Sequence, residues 1–206
     1  MLAGLIMDWN ALTAAQMRKR LAAAGATQPL TCTPTCSQGL RQAGVLAPLI
    51  RIDGRWHVLF IRRSRWEGDR HSGQVAFPGG KREACDADLR ATAVRETVEE
   101  LGLAPDCLQL IGSLAPRHSR TGYCITAQIA LLDWPCPLTP DAREVARVFS
   151  LPLDWLADRS NWRVVPCRDT EGQPAEVIRY REQEGEQLWG VTAALVQQLL
   201  GRLATD

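Results

Sequence analysis

The sequence carries almost no excess charge of either sign, and it has no long apolar run. Its 24 Lys and Arg nearly balance its 23 Asp and Glu, for a net charge of +1. A strong attraction of the whole surface to nucleic acid is therefore not expected, although a local basic patch is possible. No apolar stretch approaches the roughly 20 residues that cross a bilayer. The apolar opening at 1–7 lacks the basic start of a signal peptide, so we expect a cytoplasmic protein without membrane or nucleic-acid partners.

A repeating cysteine frame is also missing. The seven cysteines are an odd number and are scattered through the chain. We therefore expect reduced thiols, as in a cytosolic protein, rather than a disulfide scaffold. Cys32 and Cys36 have the spacing of half a zinc site, but no second pair of ligands follows at finger-like spacing.

Helix and strand patterns are mixed irregularly along one predicted domain, 1–206. A helix over 8–24, capped by Asp8, and a loop would form an N-terminal part, 1–42; the rest, 43–206, would be the core with a C-terminal helix. Asp53-Gly54 between two apolar segments predicts a hairpin. Further strands are expected at 74–77, 108–114, 123–132, 144–150, 162–165 and 177–181, and helices at 89–101, 153–157 and 191–203. The hairpin-like connections favour an α+β sandwich over a regularly alternating α/β sheet.

Three carboxylates share one face of the helix predicted at 89–101. At about 100° per residue, Glu96, Glu99 and Glu100 fall within about 100° of one another, and Val94 and Val98 fall on the opposite face. This count predicts a buried aliphatic side and an exposed acidic side. Clustered carboxylates repel one another, and hard cations such as Mg²⁺ or Mn²⁺ relieve the repulsion. The alternative is a solvated acidic face without function.

The sequence around this helix resembles the Nudix box. Phe77-Pro78-Gly79-Gly80 lies upstream, and Arg95-Glu96-x-x-Glu99-Glu100-x-Gly102-Leu103 matches the second half of that pattern. The isolated glutamate of the box has no direct counterpart. Ala87 occupies its place, and either Asp86 or Asp88 could fill the role.

The resemblance implies a Nudix α/β/α sandwich with a mixed β-sheet, plus N-terminal and C-terminal helices. It implies that Glu96, Glu99 and Glu100, with the backbone of Gly79 and Gly80, hold Mg²⁺ or Mn²⁺. The expected reaction is hydrolysis of a pyrophosphate bond in a nucleoside diphosphate derivative.

Arg95 precedes Glu99 by four residues on the predicted helix, so it could neutralise and orient that carboxylate. The resemblance further implies that the general base is either Glu99 or Glu144, a choice that stays open. The alternative that is not an enzyme is a regulator that binds a nucleotide without hydrolysing it. Such a regulator would be expected to lack one or more glutamates of the cluster.

A second resemblance, to the coenzyme A pyrophosphatase branch, covers roughly residues 45–200. It rests on the segments 59–64, 73–80, 144–146, 151–153 and 188–193. It implies hydrolysis of coenzyme A or a derivative to 3′,5′-ADP and 4′-phosphopantetheine. The alternative substrates are ADP-ribose, NADH or a modified nucleotide.

The arginines before the box are the candidate substrate-binding groups. Arg62, Arg63 and Arg70, with Arg65, would attract a polyanion such as the 3′-phosphate of coenzyme A. Trp66 would stack on an adenine or simply pack against the protein. The expected partner is a small-molecule nucleotide, and the chain would be a monomer or a homodimer.

Overall fold

A computed structural model describes residues 7–25, 39–68, 71–168 and 172–205. These ranges contain four α-helices: α1 (Ala14–Gly25), α2 (Leu89–Leu101), α3 (Leu153–Ala157) and α4 (Gly190–Ala204). None of the described helices is long and apolar enough to span a membrane. The strands are β1 (Arg41–Ile52), β2 (Arg55–Arg63), β3 (Val75–Ala76), β4 (Gly79–Lys81), β5 (Leu108–Ser113), β6 (Arg117–His118), β7 (Tyr123–Leu132), β8 (Val145–Pro152), β9 (Trp162–Arg168) and β10 (Pro174–Tyr180).

Eight of these strands form one mixed sheet with the central order β3-β2-β1-β7-β5. Strand β1 runs parallel to β7 and antiparallel to β2 and β4. Strand β8 extends the sheet beside β2, and β6 lies beside β7. The remaining strands, β9 and β10, form a separate antiparallel pair.

The sheet is covered by helices on both faces. Along β1, Ala47 and Leu49 belong to a core shared with α1 and α4, whereas Leu46 and Ile50 pack on the side of α2. Successive side chains of a strand point to opposite faces, so this alternation places α2 across the sheet from α1 and α4. The predicted α/β/α sandwich with a mixed sheet is confirmed, as are the N-terminal and C-terminal helices.

The two ends of α2 are fixed by its own sequence. The Asp88 side chain accepts hydrogen bonds from the backbone N–H groups of Arg90 and Ala91, which satisfies two donors of the first turn. Gly102 ends the helix in the left-handed conformation, with φ of 61°, and its N–H donates to Val98 at 2.8 Å. The glutamate segment is therefore held in a helix with a defined start and end.

Several sequence predictions need correction at their boundaries. Asp8 caps a short 3₁₀ turn, Trp9–Ala11, and the helix α1 starts only at Ala14, after Thr13 and Gln16 have exchanged capping hydrogen bonds. The strand expected at 74–77 is shortened to Val75–Ala76, whereas β9 and β10 are longer than expected. Most of the predicted loop in 1–42 lies outside the described residues.

The cysteine prediction holds only in part. Cys85, Cys107, Cys136 and Cys167 are free thiols. Cys124, buried on β7, is disulfide-bonded, so the expectation of reduced thiols is wrong for this residue.

The close packing of α2 on β1 depends on the absence of a side chain at Gly44. A Cβ atom there would lie 2.4 Å from the Leu89 carbonyl oxygen and 3.0 Å from the Ala93 nitrogen. Backbone atoms cannot swing aside as a flexible side chain can, so the helix would have to move away from the sheet.

We expect Gly44→Ala to lower the free energy of unfolding by about 1–3 kcal/mol, because the added methyl overpacks this contact. The matched control is Gly201→Ala in α4, where a Cβ meets nothing within 4 Å. That change should be neutral or stabilise by up to about 1 kcal/mol, as Ala favours a helix over Gly. Chemical denaturation measures both, and equal stabilities of the two variants would contradict the packing argument.

Candidate active site

The face of α2 that packs on the sheet is rotated from the aliphatic face that the angle count predicted and shares only Leu101 with it as a buried residue. Its buried residues are Leu89, Thr92, Ala93, Thr97, Glu100 and Leu101, whereas Val94 and Val98 are only half-buried. Glu100 is 1% exposed, so the expectation that all three carboxylates lie on the exposed side is wrong for this residue. The small side chains of Thr92 and Ala93 allow α2 to approach Gly44 closely, and this approach turns Glu100 toward β4.

The Glu100 carboxylate lies against the start of β4. Its Oε2 accepts a hydrogen bond of 2.8 Å from the Gly79 N–H, and Arg63 Nη1 stands 3.9 Å from Oε1. Burial raises the pKa of Glu100 to about 8, and repulsion from Glu96 and Glu144 acts in the same direction. Keeping this carboxyl group buried therefore lowers the stability of the folded protein whenever the group is ionised.

The Glu96 carboxylate lies directly over Gly80. A Cβ atom at position 80 would lie 2.4 Å from Glu96 Cδ and within 2.6 Å of both carboxylate oxygens. Burial raises the pKa of Glu96, and repulsion from Glu99 and Glu144 contributes. Gly80 is therefore required because the space that a side chain would fill is taken by the carboxylate.

Arg95 connects the acidic groups. Its guanidinium makes a two-pronged ion pair with Asp86, at 2.9 and 3.0 Å, and contacts Glu96 and Glu99 at 3.0 Å each. The hydrogen bonds from Arg95 hold the pKa of Asp86 well below its usual range, and those to Asp86 raise the pKa of Arg95. Because Asp88 is the helix cap, Asp86 is the aspartate that pairs with the arginine of the glutamate segment.

Glu144 approaches the same site from a different part of the chain. Its carbonyl oxygen accepts a 2.8 Å hydrogen bond from Ser64, just after β2, and the nearby Asp141 N–H donates to the Glu100 carbonyl at 3.0 Å. Its side chain is exposed, and its charge raises the pKa values of Glu96 and Glu100. The structure therefore brings Glu96, Glu99, Glu100 and Glu144 to one region.

The three predicted substrate-binding arginines have different surroundings. Arg63 faces Glu100. Arg62 lies on the other face of β2 and, with Arg147, pairs with the buried Glu186 at 3.0 Å. Arg62 is therefore separated from the carboxylates by the sheet, and its charge is already paired. Arg70 lies outside the described residues.

An oxygen-only donor set fits a hard divalent cation. As placed in the described ranges, no three acidic, His or Cys side chains converge closely enough to hold a metal ion. The carboxylates nevertheless repel one another, and the buried Glu100 has one N–H donor and one arginine at 3.9 Å to balance its charge. A cation with oxygen ligands suits this excess of negative charge.

Residues 40–166 match the sequence model of the Nudix domain, which is more than half of the chain. The chain belongs to the Nudix family. A curated relative from Photorhabdus laumondii, named Uncharacterized Nudix hydrolase NudL, is 36% identical over 79% of this chain and 85% of its own length. Its namesake from Pectobacterium atrosepticum is 33% identical over 77% of this chain and 81% of its own length.

The fold comparison agrees with the family assignment. A crystal structure of a MutT/nudix family protein from Enterococcus faecalis covers 93% of this chain and 74% of its own chain, with a TM-score of 0.54 and 15% identity. This Nudix protein is accordingly an enzyme that hydrolyses pyrophosphate linkages in small nucleotide derivatives, in a family that generally depends on divalent metal ions.

The pairing of Asp86 with Arg95 predicts a stability effect. Asp86→Asn should lower the free energy of unfolding by about 3 kcal/mol, since it removes one partner of a mostly buried ion pair. For a domain of this size, that is a fall in Tm of roughly 6–12 °C. Asp88→Asn is the control, because Asn caps a helix as well as Asp.

The same effect has a defined pH dependence. The pKa of Asp86 is lowered in the folded protein, so its contribution is present at neutral pH and is lost on acidification below the ordinary aspartate range near pH 4. Thermal unfolding across pH measures this. A difference between wild type and Asp86→Asn that stays constant down to about pH 2 would contradict the ion-pair explanation.

Proposed function

We propose that this Nudix hydrolase cuts the pyrophosphate bond of coenzyme A or a coenzyme A derivative, giving 3′,5′-ADP and 4′-phosphopantetheine. The observation that carries the hydrolytic part is the buried Glu100 carboxylate, held by the Gly79 N–H beside Glu96. The choice of coenzyme A rests on the sequence segments before and after the box, from Leu59 to Ala193. The proposed partner is a small-molecule nucleotide, and no nucleic acid or membrane is expected. The protein itself would be a monomer or a homodimer.

The metal ligands of the proposal are Glu96, Glu99 and Glu100, with backbone oxygen from the Gly79-Gly80 turn. Support comes from the like charges of these side chains and from the burial of Glu96 and Glu100, which raises the pKa values of both groups. Mg²⁺ or Mn²⁺ held there would neutralise charge that develops on the diphosphate and would lower the pKa of an attacking water. Arg95 would keep Glu99 in position through its 3.0 Å contact.

Two carboxylates are candidates for the general base. Glu99 has a side chain that is 59% exposed, and it can reach a water on the open side of α2. Glu144 is exposed and carried by a segment tied to Ser64 and to the end of α2. Both positions satisfy the first requirement of a base, which is access to the water, so both stay in the proposal.

Arg63 and Arg70 are the proposed phosphate-binding arginines. Arg63 stands at the site and is 33% exposed, so it can contact a substrate phosphate while remaining near Glu100. Arg62 is a weaker candidate than the sequence suggested, since its charge is already paired with the buried Glu186. Arg70 belongs to the proposal on its sequence position alone.

The rival substrates are ADP-ribose, NADH or a modified nucleotide, with the same carboxylate chemistry. A regulator that binds nucleotide without hydrolysis is disfavoured, because its expected mark is a damaged glutamate cluster and this chain retains Glu96, Glu99 and Glu100. Product analysis over a panel of diphosphate compounds distinguishes these readings.

Glu100→Gln should reduce turnover in Mg²⁺ by about hundredfold or more, since a neutral amide is a weak ligand for a hard cation. The fold should remain, because Gln has nearly the same volume and can still accept the Gly79 N–H. Its thermal midpoint in a chelator should equal or exceed that of the wild type, most clearly above about pH 8, where the buried wild-type carboxyl group is ionised.

Glu176→Gln, an exposed position on β10, is the matched control and should leave turnover unchanged. A metal chelator should abolish turnover of the wild type. Full activity of Glu100→Gln would show that this carboxylate takes no part in the chemistry. Full wild-type activity in excess chelator, with metal-free protein, would contradict the metal-dependent mechanism.

A comparison of coenzyme A with dephospho-coenzyme A tests the substrate proposal. We expect hydrolysis of dephospho-coenzyme A to be roughly tenfold or more less efficient, because the missing 3′-phosphate loses charge-assisted hydrogen bonds from arginine, at about 1.5–3 kcal/mol each. Arg70→Ala should narrow this difference in kcat/KM. Equal efficiencies in the wild type would reject 3′-phosphate recognition, and a clear preference for ADP-ribose or NADH would favour the rival substrates.

A further inference from the structure

Trp66 is a large apolar side chain that the fold leaves uncovered. It is 59% exposed, and in the described part of the chain only Val164, at 43%, is also a large exposed hydrophobic residue. Isolated exposed apolar residues are common on protein surfaces, so exposure alone indicates nothing. What separates Trp66 from an ordinary surface residue is how it is held and where it lies.

The indole of Trp66 is tethered at its polar edge. Its Nε1–H donates to the carbonyl oxygen of Arg143, and its backbone N–H donates to Ser72 Oγ at 2.8 Å. Among the aromatic and guanidinium groups that the structure describes, none stacks on this ring. The ring is therefore fixed by its edge, with its π surface exposed to solvent rather than to another side chain.

The tether places Trp66 beside the carboxylate site. Arg143 immediately precedes Glu144, whose charge acts on Glu96 and Glu100. The same segment is joined to the chain before Trp66 by Ser64, which donates from its N–H to Glu144 and from its hydroxyl to Ala142. Arg63, which faces Glu100, lies only three residues from Trp66, a span of at most roughly 11 Å.

We propose that Trp66 binds the nucleobase of the substrate by stacking, next to the pyrophosphate that the carboxylates address. A base presents a flat π surface that matches a fixed, open indole, and an attached phosphate end can extend toward Arg63 and the glutamates. A purine covers more of the ring than a pyrimidine. Stacking reads no hydrogen-bonding edge, so adenine and guanine are accepted alike at this position.

This inference rests on the proposed nucleotide substrate, yet its test does not need turnover. The probes are AMP and ribose 5-phosphate, which share the phosphate and differ by the base. Titrations of the wild type, Trp66→Leu and Trp66→Phe would measure both Kd values in the presence of Mg²⁺. The chain has seven tryptophans, and loss of one indole N–H signal in Trp66→Phe identifies that of Trp66 by NMR.

For the wild type, AMP should bind about tenfold or more tighter than ribose 5-phosphate and shift the Trp66 indole signal, whereas ribose 5-phosphate should not shift it. Trp66→Leu should lose most of the AMP preference with little change for ribose 5-phosphate. Trp66→Phe should retain much of it, because an aromatic face remains. Val164→Ala, at an exposed position on β9, is the control and should behave as wild type.

The outcomes separate this inference from the proposed function. An AMP preference that is unchanged in Trp66→Leu, or an indole signal that AMP does not move, overturns base stacking even if the enzyme hydrolyses coenzyme A. An AMP preference that Trp66→Leu abolishes supports base stacking even if coenzyme A is not a substrate.

Discussion

The site depends on the close approach of α2 to β1 and β4. This approach is possible because three glycines remove the side chains that would hold the elements apart: a Cβ at Gly44 would meet the helix backbone, one at Gly79 would lie 2.5 Å from the Gly44 oxygen, and one at Gly80 would overlap the Glu96 carboxylate. At a larger separation, Glu100 could not reach the Gly79 N–H. The helix-to-sheet distance therefore sets the positions of the acidic groups.

Charge balance explains why this packing makes a site rather than only a core. Arg95 carries one positive charge and contacts three carboxylates, those of Asp86, Glu96 and Glu99. Asp86 takes the two-pronged pairing, which orients the guanidinium, so Glu96 and Glu99 are neutralised only in part. Glu144 adds further negative charge, and together with burial and Glu96 it raises the pKa of Glu100 to about 8, so ionisation of Glu100 is disfavoured until a cation is bound. The network is ordered by its arginine and still carries the excess of negative charge that a divalent cation can balance.

The sequence predicted elements best where local rules decide them. The hairpin at Asp53-Gly54, the strand Tyr123–Leu132 and the helix Leu153–Ala157 have the expected positions, because turn residues and apolar runs mark their ends. The prediction of the buried face of α2 failed for a physical reason. Counting angles shows which residues share a face, but hydrophobicity favours Val94 and Val98, whereas close packing selects the smaller Thr92 and Ala93. The contact partner of the helix is needed to choose between them.

Pairing across the chain could not be read from the sequence either. Arg62 and Arg63 are adjacent, yet strand geometry sends one toward Glu186 and the other toward Glu100. The alternation of side chains along a strand predicts that these two arginines point to opposite faces. It does not predict their partners, because Glu186 lies more than 120 residues from Arg62 in the sequence. Likewise, the sequence could not show whether Asp86 or Asp88 takes the place of the isolated glutamate of the box. The structure shows that Asp88 caps α2 and that Asp86 pairs with Arg95.

In the proposed function, the chemistry and the choice of substrate belong to different parts of this fold. The carboxylates of α2 and the turn at Gly79 are fixed by backbone contacts in the sandwich, so the geometry of the candidate site tolerates little change. Trp66 and Arg63 instead lie where β2 ends, and Glu144 lies immediately before β8; the Ser64 hydrogen bonds join these two places. Loops of this kind can vary while the scaffold keeps its geometry. If Trp66 and Arg63 recognise the substrate as proposed, substitutions at these positions can change the preferred diphosphate without moving the glutamates.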